Sequence, residues 1–177
     1  MTQQQKQPTC QDLVDDAWAS RKADIEGFLS SDPDKARRCL ADLGYTTAQE
    51  TLSDDEALEQ AHDAFSEYSL ALDYVEPNTF EDQREAYLRY QISFGGPSEE
   101  VRFFLNPDMS LNRAEFWCLD WFRDNDVIHL QDGASVDITL EEATGLMFDW
   151  MDVSEMVRSA VRDAELPESN HPWSGSF

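Results

Sequence analysis

Two long stretches of this 177-residue chain contain no lysine and no arginine. Residues 39–83 hold 12 Asp and Glu, and residues 124–157 hold 9, with no base in either. Together they carry 21 of the chain's 37 acids, and so most of its net charge of −24. The remaining residues, with 16 acids and 13 bases, are close to balance. A field of this sign repels nucleic acid and anionic membranes and attracts basic surfaces. Its segregation suggests a partner more strongly than net charge alone.

Other absences narrow the function further. No run of 18 apolar residues occurs, so no membrane span is expected. The N-terminal residues Met1-Thr-Gln-Gln-Gln-Lys-Gln-Pro8 lack the apolar core of a signal peptide, which predicts a cytoplasmic protein of the host cell. The three cysteines, Cys10, Cys39 and Cys118, are odd in number and scattered, which argues against a disulfide framework. Cys118 sits in an apolar run and reads as a buried thiol. The histidines His62, His129 and His171 stand far apart, and no C-x-x-C or H-E-x-x-H is present, against a zinc site. No G-x-S-x-G, P-loop or G-x-G-x-x-G occurs. Asp124-Asn125-Asp126 begins like a calcium loop, but the required glycine and closing glutamate are replaced by His129 and Ser135. Carboxylate pairs are too numerous for any one to stand out as an acid/base dyad. The expectation is a non-enzymatic chain with no catalytic residue, no metal and no cofactor.

What is present predicts a folded domain. Hydrophobic residues make up 41% of the chain, with 10 Phe, 5 Trp and 5 Tyr, more aromatics than a disordered acidic tail carries. The predicted organisation is a disordered leader over 1–9, one α+β domain over 10–167 and a flexible tail over 168–177. From Gln11 to about Ser30, Val14, Trp18, Ile25, Phe28 and Leu29 fit a helical stripe. Asp32-Pro33 starts a second helix, which Gly44 ends. Ser53 and Glu56 form a capping-box pattern ahead of a third helix, with Leu58, Ala61, Phe65, Tyr68 and Leu72 as its seam and Pro77 beyond it. The period then changes to two: Leu88, Tyr90, Ile92 and Phe94, then Val101, Phe103 and Leu105 after Gly95-Gly96, predict a β-hairpin over 87–105. Residues 113–122 read as a third strand, and Val127–Leu130 as a short fourth. Thr139 and Glu142 form a second capping box, opening a long C-terminal helix that runs to Pro167. The predicted fold is thus N-terminal helices, a small antiparallel sheet of three or four strands, and a long closing helix.

The segment Arg89-Tyr-Gln-Ile-Ser-Phe-Gly-Gly-Pro-Ser-Glu-Glu-Val-Arg-Phe-Phe-Leu105, followed by Phe116-Trp-Cys-Leu-Asp-Trp121, resembles a core of small acidic proteins of phages and plasmids. Many such proteins counter restriction or CRISPR systems by imitating DNA, so the resemblance implies an anti-restriction or anti-CRISPR inhibitor. It covers about 35 residues, all in the predicted sheet, and assigns no functional residue.

The charges give the same direction independently. Carboxylates three or four residues apart on a helix stand about 4.5–6 Å apart along its axis, the order of spacing of phosphates along a nucleic acid strand. Glu56, Glu59, Asp63 and Glu67 on the third helix, with Glu141, Glu142, Asp149 and Asp152 on the last, are the candidate phosphate-mimicking residues. The expected partner is the basic DNA-binding surface of a host defence protein, with a homodimer also open. The alternative is an adaptor domain that binds protein through Phe104, Trp117 and Trp121 on the sheet. Its acidity would then serve solubility or tolerance of high salt, which the count of 3 Lys against 10 Arg also fits. A metal-dependent enzyme using clustered carboxylates is the third class.

Overall fold

The computed structural model describes residues 8–45, 52–80, 83–95, 97–124, 127–150, 152, 153, 155, 156, 158 and 159. Three helices come first: α1 (Cys10–Phe28), α2 (Pro33–Asp42) and α3 (Asp54–Tyr68). Five strands follow: β1 (Ala71–Val75), β2 (Tyr87–Ser93), β3 (Ser98–Leu105), β4 (Leu111–Asp124) and β5 (Val127–Ile138). A short helix, α4 (Leu140–Leu146), and a 3₁₀ turn (Phe148–Trp150) follow them. The fold is α+β, with an antiparallel sheet in the order β1-β2-β3-β4-β5.

Local chemistry accounts for the helix starts. Thr9 and Asp12 form a reciprocal capping box at α1, as do Ser53 and Glu56 at α3 and Thr139 and Glu142 at α4. Asp32 caps α2, with Pro33 in its first turn. Gly44, at φ 80°, lets the chain leave α2 in a conformation that other residues rarely adopt.

One face of the sheet carries the helices. Val14, Trp18 and Ile25 of α1 are buried with Leu88, Tyr90, Val101, Phe103, Phe116 and Cys118. The rings of Trp18 and Phe116 lie 5.4 Å apart. A second cluster of Phe28, Ala36, Leu40, Ala61 and Ala64 joins α1, α2 and α3. Gly27 permits that junction: a Cβ there would stand 2.6 Å from Cys39 Sγ.

The structure corrects the sequence reading at three places. The sheet has five strands, because β1 lies where the third helix was extended. Leu72 fits the helical seam, four residues beyond Tyr68, yet it pairs with Tyr90 in the sheet. β5 runs on to Ile138; Asp132, Gly133 and Asp137 make its second half read as a loop, but Gly133, Ala134 and Ser135 pair in register with β4. The long C-terminal helix is not found, since α4 stops at Leu146 and Met147 takes φ −139°. Val153, Glu155, Met156, Arg158 and Ser159 are helical again after the 3₁₀ turn. Leu140, Trp150 and Phe94 are exposed.

Candidate interaction surface

The acids of α3 divide into two groups with different work. Glu56 is committed to the helix start: its Oε2 accepts from Ser53 N at 2.9 Å and from Ser53 Oγ at 2.6 Å. These bonds favour its charged form and hold its pKa below the ordinary value. Glu59, Asp63 and Glu67 are exposed, and no cation reaches them among the described residues. Asp55, which the sequence reading passed over, is exposed and unpaired in the same sense. Asp55, Glu59, Asp63 and Glu67 stand four residues apart, so they rise in one stripe at about 6 Å intervals. The signal was present as strict i, i+4 spacing. It was hidden by the adjacent capping glutamate.

The stripe is held on a rigid element. Ala57, Ala61 and Ala64 bury the opposite side of α3. Arg37 anchors its start, with Nε 3.1 Å from Leu52 O and Nη2 paired to Asp54. At its other end Tyr68 donates to Asp24 Oδ2 at 2.6 Å and accepts from Arg21 at 3.2 Å.

The acids after β5 are less uniform. Glu141 is exposed and without a cation partner among the described residues. Glu142 is bonded to Lys22 of α1 and accepts from Thr139 Oγ1 at 2.8 Å, and these contacts, the lysine first, lower its pKa. Asp152 accepts at Oδ1 from Glu155 N at 2.9 Å and so caps the residues that follow. The side chain of Asp149 lies outside the described residues. Glu56, Glu142 and Asp152 therefore all have structural partners, which Glu59, Asp63, Glu67 and Glu141 lack among the described residues.

The two base-free blocks meet. The His62 ring of α3 stands edge-on to Trp150, with centroids 4.9 Å apart. A cleft of about 420 Å³ opens beside them, lined by His62, Phe65 and Ser66 from α3 and by Trp150, Asp152 and Met156 from the second block.

The other face of the sheet gathers three arginines. Arg102 pairs with the buried Glu100, Nε to Oε1 at 2.6 Å. Its guanidinium lies 4.7 Å from the Tyr87 ring and 4.1 Å from the Trp117 ring. Arg113 covers Phe104 at 3.5 Å and holds Glu85 and Glu115. Arg89 holds Asp73 at 2.7 Å. The aromatic surface considered for an adaptor is thus covered, at Phe104 and Trp117, by the chain's own arginines; the Trp121 side chain lies outside the described residues. The Tyr87 hydroxyl is buried beneath this layer without a hydrogen-bond partner among the described residues, and burial pushes its pKa up to about 12.

Comparison with family models, with curated proteins and with solved structures finds no match to this chain. Among the described residues no three His, Cys, Asp or Glu side chains converge as metal ligands do. No helix among them is long and apolar enough to cross a membrane.

Proposed function

We propose that this chain is a non-enzymatic acidic inhibitor that occupies the DNA-binding surface of a host defence protein, of the restriction or CRISPR type, in place of DNA. The observation that carries the reading is the stripe Asp55, Glu59, Asp63 and Glu67: four exposed carboxylates at regular spacing, unpaired among the described residues, on a helix fixed at both ends. Charges already held in place bind a groove without the ordering cost that a flexible acidic tail bears. Glu141 adds to the same field. Glu56, Glu142 and Asp152 support the scaffold.

The bases support the reading by their placement. Arg21, Lys22, Lys35, Arg37, Arg89, Arg102 and Arg113 each hold a carboxylate of their own. None of these cations neutralises the stripe. Simple adaptation to high salt does not require that segregation.

The test is a DNA-binding assay on restriction complexes and CRISPR effectors of a host. The chain is expected to displace duplex DNA from one of them, and a Glu59→Lys, Asp63→Lys variant with native circular dichroism is expected to lose that effect. Equal inhibition by the variant would remove the stripe from the mechanism.

A further inference from the structure

β1 is an open sheet edge. One side bonds to β2, and among the described residues no strand pairs with the other. Edge strands are commonly blunted by lysine, proline, a bulge or an outward charge. β1 has no lysine, proline or bulge: its sequence is Ala-Leu-Asp-Tyr-Val, its pairing with β2 is unbroken from Ala71 to Val75, and its one charge, Asp73, is neutralised by Arg89. The opposite edge is protected. β5 carries a register shift and two aspartates, and α1 is tied to it through Cys10 N and Asp132 Oδ2 at 2.7 Å.

Apolar surface clusters beside the open edge. Leu70 is 63% exposed, Leu72 39% and Trp150 50%. Leu72 and Trp150 line the 420 Å³ cleft, together with Phe65 and Tyr90. Side chains of an added strand alternate between the two faces of the sheet. Those on the helical side would therefore pass over this cleft. The approaches are acidic: Asp63 and Glu67 precede the strand, Glu76 follows it, and Asp152 lies in the cleft wall.

We infer that β1 is a docking edge for an extended segment of a partner protein, apolar at alternate positions and basic at its ends, that pairs as a sixth strand and seats an apolar side chain between Leu72 and Trp150. Main-chain pairing supplies affinity in this mode and the side-chain pocket supplies selectivity. The preference for a basic segment rests on the inhibitor reading, because a DNA-binding protein is rich in such segments. The open edge and the cleft do not depend on it. A second copy of the chain is a poor occupant, since each copy carries a net charge of −24.

The test uses the full chain, labelled with ¹⁵N, and three short synthetic peptides, an alternating Ile-Ser core between lysines (Lys-Ile), an all-Ser core between lysines (Lys-Ser) and the Ile-Ser core between glutamates (Glu-Ile), in about 0.3 M NaCl to screen exposed charge. Only the Lys-Ile peptide is expected to bind, shifting the amides of residues 70–75 and slowing the hydrogen exchange of those that point away from β2. Leu70→Asp and Leu72→Asp, at exposed positions that leave the core intact, are each expected to weaken it about tenfold or more. Four results overturn the inference: equal binding of Lys-Ser, shifts confined to α3, binding unchanged in both variants, or protection in the free chain of the β1 amides that point away from β2, which would mean that its own tail or a second copy covers the edge. Equal binding of Glu-Ile would overturn the basic partner alone. Peptide docking on β1 without inhibition of any DNA-binding protein would sink the inhibitor reading and leave the edge. Undiminished inhibition by Leu72→Asp would do the reverse.

Discussion

Glu100 is 3% exposed and would be costly to bury alone. It is tolerable because Arg102, itself wedged between Tyr87 and Trp117, places Nε 2.6 Å from its carboxylate. Removing one member of such a pair strands the other. Arg102→Met is therefore expected to cost about 3–5 kcal/mol in urea denaturation. Adding Glu100→Gln should return part of that loss. Glu142 makes a different prediction, because its partners act on its ionisation. Lys22 and Thr139 lower its pKa below the ordinary 4.5, and Glu142 raises that of Lys22 above 10.5. A lowered acid stabilises the fold above its unfolded value, and that contribution is lost as pH falls through the folded one. A raised lysine contributes below its unfolded value and loses this above it. The pair thus contributes across the whole range between 4.5 and 10.5. Glu142→Gln should be less stable than the parent near neutral pH, by chemical denaturation, and the deficit should shrink as pH falls below 4.5.

At the scale of elements, α3 trades stability for charge. Carboxylates at i and i+4 repel, at about 0.2–0.5 kcal/mol per pair, and Asp55, Glu59, Asp63 and Glu67 form three such pairs in succession. Glu59→Lys alone converts two repulsions into attractions. It should raise thermal stability slightly while lowering inhibition, a combination that a purely structural helix would not give. The start of α3 was legible because Ser53 and Glu56 are a local signal, and the same holds for Thr139 and Glu142. The β2–β3 hairpin was legible because Leu88, Tyr90 and Ile92 alternate strictly and two glycines follow. β1 was not, because Leu72 satisfies a helical period and a strand period equally. The extent of β5 was hidden by Asp132 and Gly133, whose pairing with Asp120 and Leu119 is decided by the neighbouring strand. The end of α4 was missed because apolar residues recur at helical spacing through the break at Met147. Within the candidate site, Glu59, Asp63 and Glu67 could be read from spacing. The capping role of Asp152 depends on where the chain restarts a helix, which spacing does not encode.

At the scale of the molecule, the fold sorts charge between its surfaces. The sheet face away from the helices collects Arg89, Arg102 and Arg113 and neutralises each with a carboxylate. The helical side carries the α3 stripe, which no base reaches among the described residues, and the contact of His62 with Trp150 joins the two acidic stretches along one cleft. A surface of one sign attracts a partner through a field that salt screens over a Debye length of about 10 Å at 0.1 M. The most direct test is the affinity for the inhibited DNA-binding protein across a salt series. It is expected to fall more than about tenfold between roughly 50 and 200 mM NaCl, in parallel with the target's own affinity for duplex DNA. An affinity that stays flat over that range would contradict the substitution of carboxylates for phosphates.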